Sequence, residues 1–298
     1  MRKQQTWLGD LWHKVFKSGN PLFLLIGLNV LVFLGLKVLV LVQLVVGNQL
    51  SLKDMILPYL HLPAAYLSAA WKPWTLLTYQ FIHEDFFHIL FNLLWLYWMG
   101  QLFLSYLKKS QFLFVYLIGG VVGGLLFIFS SWVFSDNAQL EIGYGLIGAS
   151  AGVSAIVFAI ATLLPNNTIQ LLFLGNVPLK YLALGFLVLD LIGITGLNAG
   201  GSIAHIGGAL WGFLYIRRLQ NGSDLSKIWP LFRKKKLKVV RNTNPSTGKD
   251  SSTPDQVTID RILDKISKSG YDGLTKAEKE ALFKVSHPKK PHESSSEK

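Results

Sequence analysis

The sequence predicts an all-α protein that crosses a lipid membrane several times. Of its 298 residues, 51% are hydrophobic and only 15% are charged, and the mean hydropathy is +0.38. Soluble globular domains carry about 25% charged residues, so this chain is too apolar to be one. Residues 21–46 alone form an apolar run long enough to cross about 30 Å of hydrocarbon as a helix.

Six segments have the composition of membrane helices, and the last two are short and rich in glycine. Glycines four residues apart, such as Gly119 and Gly123, favour close helix packing in lipid. No cleavable signal peptide is evident, so the first span is expected to be retained. The predicted spans are residues 21–46, 86–106, 112–134, 145–164, 179–196 and 202–219.

The distribution of basic residues predicts the orientation of this six-helix bundle. Lys and Arg are concentrated in the short segments that lie on the same side as the two chain ends, which places both termini in the cytoplasm and the bundle in the cell (inner) membrane. The chain carries no cysteine, so disulfides and thiolate chemistry are excluded.

The segments outside the membrane domain of residues 21–219 differ in character. Residues 1–20 have the apolar spacing of an interfacial helix. After the bundle we expect a basic linker, then a cytosolic helical hairpin that contains a capping box formed by Thr275 and Glu278, then a disordered tail. These three segments are residues 220–257, 258–286 and 287–298.

The formal net charge of +12 is concentrated after the last span, where residues 217–298 carry 19 Lys and Arg against 10 Asp and Glu. This pattern is typical of a positive-inside anchor, and contact between the basic tail and anionic lipid headgroups is the alternative function. No aromatic or groove-reading elements accompany these charges, so no nucleic-acid partner is predicted.

Three polar residues fall at similar predicted depths in even-numbered spans. Asn92, Ser150 and His205 lie about six, five and three residues into their spans, which at ~1.5 Å per residue is roughly 5–10 Å below the outer membrane surface. Polar groups inside a bilayer are costly and normally face a protein interior or a water-filled cavity. The coincidence predicts one polar site near the outer face.

Ser150 and His205 are the candidate nucleophile and general base. Ser150 lies in GLIGASAGVSA, where its neighbours are no larger than alanine and leave the hydroxyl approachable. His205 lies in GGSIAHIGGALWG, whose small residues Ala204, Gly208 and Gly212 would let the sixth span approach the fourth. An imidazole about 3 Å from a serine hydroxyl can take its proton and return it to the leaving amine. Each motif alone is also typical of simple helix packing.

Further polar side chains surround this pair. His88 and Asn92 are four residues apart and share one helix face, so they are candidate donors to an oxyanion, together with a backbone amide near Ser150. Asp190 in the fifth span either orients His205 or is a structural carboxylate near the outer edge. The segment HEDFFH looks like a zinc-binding HExxH motif, but its histidines are five residues apart and about 140° around a helix from each other, so no metal site is predicted.

Taken together, the motifs resemble those of the rhomboid family of intramembrane serine proteases. TYQFIHEDFFHILFN, GASAG and AHIGG occur in this order on the second, fourth and sixth predicted spans. They are similar to the family signature of His-x-x-x-Asn, Gly-x-Ser and Ala-His-x-x-Gly, and the resemblance covers about residues 20–219. The chain differs from many members at Ala151, where glycine is common, and at Ser154, where tyrosine is common.

The resemblance implies a function and roles for the candidate residues. Ser150 and His205 would form a catalytic dyad, and His88 and Asn92 would stabilise the oxyanion. The substrates would be transmembrane proteins cut in or near their membrane-spanning segments, towards their outer ends. Neither a metal nor an organic cofactor is implied.

Two other interpretations remain open. A catalytically inactive relative that binds membrane proteins would keep the same bundle, although such relatives commonly lose the serine or the histidine. A small-solute transporter could use the same polar cavity, but it would predict an internal repeat of spans or helices broken near the midplane, and neither is convincing in this sequence.

Overall fold

The structure is a computed structural model that describes residues 7–46, 52–134, 145–171, 175–196, 198–228 and 256–286. The chain divides into two compact units, residues 1–234 and residues 235–298. The predicted disordered tail at 287–298, most of the predicted basic linker and the first residues of the N-terminal segment lie outside the described residues.

Helices dominate the first unit. Short helices and turns connect the long ones, and two pairs of short antiparallel strands, β1 with β2 and β3 with β4, join loops. The helices are α1 (Trp7–Trp12, continued by a π-helical turn at His13–Lys17), α2 (Pro21–Val46), α3 (Leu52–Leu60), α4 (Tyr66–Trp71), α5 (Thr75–Thr78, continued by a 3-10 turn at Tyr79–Phe81), α6 (Phe86–Tyr106), α7 (Lys109–Val133), α8 (Ser150–Leu163), α9 (Leu179–Gly193) and α10 (Ala199–Gln220). The strands are β1 (Leu62–Pro63), β2 (Gly145–Leu146), β3 (Thr168–Leu171) and β4 (Gly175–Pro178).

Each predicted membrane segment overlaps one of the helices α2, α6, α7, α8, α9 and α10, and the all-α polytopic class is confirmed. Within the described part of the chain, α2, α6 and α7 are both long and apolar enough to cross a membrane, and α8 is a shorter apolar helix. The count of six crossings therefore stays a prediction, whereas the chain itself is a membrane protein.

The predicted start of the fourth span at residue 145 is wrong. Residues 145 and 146 form β2, which pairs with β1 through Leu62 opposite Leu146 and Pro63 opposite Gly145. The helix begins only at Ser150, after a turn in which Gly148 has a φ of 113°. Left-handed backbone of this kind interrupts a helix and is readily adopted only by glycine.

The fifth and sixth helices also differ from their predicted bounds. α9 ends at Gly193 rather than at residue 196. α10 begins at Ala199 rather than at residue 202, because the Asn198 side chain accepts a hydrogen bond from the N–H of Gly201 at 3.2 Å and caps the helix. Ser150 is therefore the first residue of α8 and His205 the seventh of α10, so the predicted positions of about five and three residues into these helices are wrong. Asn92 is the seventh residue of α6, close to the prediction.

α8 is the central helix of the bundle. Nine of its 14 residues are buried, so it has no single buried face. It packs against α6, α7, α9 and α10. The candidate nucleophile at its first residue is thus held by the most enclosed element of the first unit.

Glycines bring the backbones of α7, α8 and α10 into direct contact. A Cβ atom added at Gly208 or Gly212 of α10 would collide with the carbonyl oxygen of Ala151 or of Ala155 on α8. A Cβ at Gly123 of α7 would lie 2.7 Å from the Cβ of Ala151. The close approach predicted from small residues four apart is confirmed, and it sets the distance between α8 and α10.

The second unit contains two helices, α11 (Gln256–Ser269) and α12 (Lys276–Ser286), which begin and end close to the predicted hairpin. The two helices pack against each other, and Ile262 of α11 and Leu274 of the connecting turn are buried. The predicted capping box is confirmed, because the N–H of Thr275 donates to Glu278 at 2.8 Å and the N–H of Glu278 donates to Thr275 Oγ1 at 3.4 Å. Hydrogen bonds from Thr275 and Lys265 lower the pKa of Glu278 to about 2.

Substitution of Gly208 by alanine is expected to destabilise the bundle by about 1–3 kcal/mol, because the new methyl group would overlap the carbonyl of Ala151. The matched control is Gly185→Ala on α9, where a Cβ meets no atom within 4 Å and alanine favours the helix. Thermal unfolding in detergent micelles should show a lower midpoint for Gly208→Ala only. Equal midpoints for the two variants would contradict this account of the packing.

Candidate active site

Ser150 lies at the start of α8 on the wall of a cavity of about 880 Å³. The preceding Gly148 is in the left-handed region, and a Cβ atom there would lie 2.7 Å from His88 Nε2. Glycine is therefore required both for the turn and for the approach of His88. Since Ser150 is the first residue of the helix, its N–H has no intrahelical partner.

The loop before Ser150 is held by groups from the segment that precedes α6. The N–H of Gly148 donates to the carbonyl oxygen of Tyr79 at 2.9 Å. The N–H of Ala149 donates to His83 Nε2 at 3.4 Å. Tyr79 is in turn fixed to α7, because its hydroxyl donates to the carbonyl of Gly120 at 2.6 Å. These bonds fix the position of Ser150 relative to the start of α6.

His205 lies on α10 and makes its closest polar contact with a carboxylate on α9. Its Nδ1 is 2.7 Å from Asp190 Oδ1, and the two side chains are 24% and 14% exposed. An ionised carboxylate can only accept, so Nδ1 donates and the neutral ring keeps its lone pair on Nε2. The sequence left open whether Asp190 contacts His205 or is a structural carboxylate near the outer edge. In the structure it contacts His205.

His88 and Asn92 lie one turn apart on α6 and line the same cavity as Ser150 and His205. Asp85 caps the helix by accepting from the N–H of His88 at 2.8 Å. The Asn92 side chain donates one of its two N–H groups to the carbonyl of His88 at 2.9 Å, which leaves the other for a ligand. The structure therefore brings all five candidate site residues, Asp190 included, to one cavity, although no hydrogen bond joins Ser150 to His205.

The rest of the cavity wall is largely apolar. Trp95 on α6 and Phe186 on α9 meet edge to face with their ring centroids 4.8 Å apart. Val157 and Phe158 of α8 also line the cavity. A cavity with an apolar wall and a few convergent polar groups is typical of a ligand-binding or active site.

His83 has a structural role that the sequence analysis missed. It is 2% exposed, and its ring centroid lies 4.9 Å from that of His88. Burial, together with the neighbouring His88, lowers the pKa of His83 to about 4, so the ring is neutral and can accept from Ala149. In the sequence, His83 was considered only as a possible metal ligand, because it lies in the HEDFFH segment. Among the described residues no cluster of three or more metal-ligating side chains occurs.

The structure predicts an acid-sensitive component of stability at His83. Since the folded-state pKa of about 4 lies below the ordinary 6.5, the contribution of neutral His83 is complete above about pH 6.5 and is lost as the pH falls through about 4. Lowering the pH from 7 to 4.5 should therefore reduce the thermal midpoint of the wild type more than that of His83→Gln, whose amide oxygen can accept without titrating.

The control for that measurement is His13→Gln, which changes an exposed histidine. Its pH dependence should match that of the wild type. If His83→Gln also matches the wild type, the contact with Ala149 does not depend on the protonation of His83.

Comparison with known proteins gives two family matches. The model of the family described as "Rhomboid domain" matches residues 70–221. A family of unknown function, DUF6576, matches residues 253–287, which include α11 and α12. The second match provides no function for this unit.

Similar curated proteins include presenilin-associated rhomboid-like proteins and a protein named a rhomboid protease. The chain is 33% identical over 140 residues to presenilin-associated rhomboid-like protein A, mitochondrial, of Danio rerio, covering 46% of this chain and 35% of that protein. It is 29% identical over 162 residues to the Homo sapiens protein named presenilin-associated rhomboid-like protein, mitochondrial, and the match covers 50% of this chain and 40% of that protein. It is 27% identical over 184 residues to the rhomboid protease GlpG of Haemophilus influenzae, and the match covers 60% of this chain and 88% of that protein. The chain thus spans less than half the length of the presenilin-associated relatives.

Proposed function

The chain belongs to the rhomboid family, and from this membership we propose that it is an intramembrane serine endopeptidase that hydrolyses peptide bonds in or near the transmembrane segments of other membrane proteins. The observation that carries the proposal is the convergence of Ser150, His205, His88 and Asn92 on one cavity. One relative, from Haemophilus influenzae, is named a rhomboid protease.

The proposed reaction begins with proton transfer to His205. Its Nε2 takes the proton of Ser150 Oγ as that oxygen attacks the carbonyl carbon of the scissile bond. The imidazolium then gives the proton to the leaving amine, and an acyl ester remains on Ser150. Water, activated by the same nitrogen, hydrolyses the ester and restores both residues.

Negative charge on the carbonyl oxygen of the tetrahedral intermediate needs hydrogen-bond donors. The N–H of Ser150 at the start of α8 is one candidate, since it has no partner within the helix. The free N–H of Asn92 and the ring of His88, which also line the cavity, are the others. Ser150 and His205 are not hydrogen-bonded to each other here, and catalytic hydrogen bonds of this kind commonly shorten when substrate binds.

The proposed partners are transmembrane protein substrates and the surrounding bilayer, with anionic headgroups as partners of the basic tail. The exposed apolar side chains of α2 and α9 suit contact with lipid, since Leu44 and Ile192 are 74% and 62% exposed. The presenilin-associated relatives are named mitochondrial, so they do not support the cell inner membrane that the sequence predicted.

The proposal predicts that the protein, reconstituted in liposomes, cleaves at least one of a panel of tagged single-span membrane proteins. Ser150→Ala and His205→Ala should each lower the rate by several orders of magnitude, on the order of 10⁶-fold in a fully formed site. The expected readout is loss of the product band in both variants.

Labelling of Ser150 by a fluorophosphonate probe makes the test independent of the choice of substrate. Wild-type protein that neither cuts any member of the panel nor reacts with the probe would favour the alternative, a rhomboid-like protein that binds membrane proteins without cleaving them. Continued cleavage by Ser150→Ala would show that the nucleophile is another residue.

Removal of one proposed oxyanion donor should slow the reaction without weakening substrate binding. Asn92→Ala is expected to lower kcat on the order of a hundredfold with little change in KM, because the donor acts on charge that develops only in the transition state. Steady-state cleavage at several substrate densities in the bilayer measures the two constants. A rise in KM with kcat unchanged would instead assign Asn92 to substrate binding.

A further inference from the structure

A carboxylate on α9 contacts the proposed general base directly. The distance of 2.7 Å between Asp190 Oδ1 and His205 Nδ1 is typical of a hydrogen bond with a charged partner. Asp190 is 14% exposed in an apolar helix. Carboxylates in such segments are costly and are found where a partner or a cavity stabilises them.

The crossing of α9 and α10 fixes this contact. A Cβ atom at Gly193 would collide with Ser202 Oγ, so the two helices approach closely there. Three residues away on each helix, Asp190 faces His205, as expected for neighbouring contacts of an antiparallel pair. The glycine therefore positions the carboxylate within hydrogen-bonding distance of the ring.

Other restraints on the His205 ring are few. Within the described ranges no aromatic ring pairs with it, and the residue one turn after Ser150 is Ser154, which also lines the cavity. The hydrogen bond from His205 Nδ1 to Asp190 is thus the polar contact that defines which edge of the imidazole faces α8. With Nδ1 occupied, Nε2 is the nitrogen available to Ser150.

We propose that Asp190 is a positioning residue, which holds His205 with Nε2 directed to Ser150 and stabilises the imidazolium that forms during the reaction. The proton of Ser150 Oγ moves to Nε2 and later to the leaving amine, while Asp190 stays ionised and accepts the Nδ1–H throughout. The proposal rests on the proposed function. It adds Asp190 as a third residue to the proposed dyad of Ser150 and His205.

In the described part of the chain, the charged and titratable side chains that line the cavity together with His205 are Asp190, His88, His61 and Glu84. Asp190 lies on α9, and His88 on α6 is close enough to interact with His205 electrostatically. α8 presents the neutral Ser150, and α7 packs on α10 through Gly123. Loss of Asp190 therefore removes the carboxylate that contacts the imidazole ring directly.

The test compares full-length wild type, Asp190→Asn and Asp190→Glu in liposomes. Asp190→Asn should lower kcat by between about tenfold and about 10⁴-fold with KM unchanged, because the amide can hold the ring in the wrong tautomer. The acid limb of kcat/KM against pH should move to lower pH, since the imidazolium is no longer stabilised. Asp190→Glu should restore part of kcat.

The control, Leu191→Asn, places the same amide on the exposed side of α9 and should leave kcat unchanged.

A second measurement separates this proposal from the proposed function. Modification of His205 by diethylpyrocarbonate, followed by mass spectrometry as a function of pH, reports the ring without any substrate, and its midpoint should fall in Asp190→Asn. If the wild type has no protease activity but the modification midpoint still falls in Asp190→Asn, the proposed function alone is overturned. The role of Asp190 would be overturned if Asp190→Asn had the same kcat, the same acid limb and the same modification midpoint as the wild type. A lower kcat accompanied by a lower thermal midpoint, with acid limb and modification midpoint unchanged, would do the same.

Discussion

The contact between the backbones of α8 and α10 is the constraint on which the site depends. Gly208 and Gly212 place one helix against the carbonyl oxygens of Ala151 and Ala155 on the other. Lipid gives no hydrophobic drive for helices to associate, so van der Waals contact at such short distance has to hold them together. The same contact brings Ser150, at the start of α8, and His205, in the second turn of α10, to one cavity.

Polar residues near the site are stabilised in pairs rather than singly. The loop before Ser150 is held by Tyr79 and His83, and the His205 ring by Asp190. Each pair joins two different elements, so a polar group that would be costly alone in an apolar bundle also fixes the geometry of its neighbour. The stability of the bundle and the arrangement of the cavity therefore depend on the same hydrogen bonds.

The sequence predicted the long helices well and the site only in part. α6 begins and ends at the predicted residues 86 and 106, because its apolar run is bounded by Asp85 and Lys108. The strand at Gly145–Leu146 was missed because its pairing with β1 is a long-range contact. The contact of Asp190 with His205 depends on how α9 is rotated against α10, which is set by Gly193 and Ser202 and has no local signal.

The turn at Gly148 bears on how activity is inferred from genes. A single added carbon there would strike His88 and strain the backbone, although every group that takes part in the proposed chemistry would remain in the sequence. Enzymatic competence in such a protein thus depends on the absence of atoms as much as on the presence of a serine and a histidine. A catalogue that sorts active members from inactive ones by the two reactive side chains would misclassify a variant of this kind.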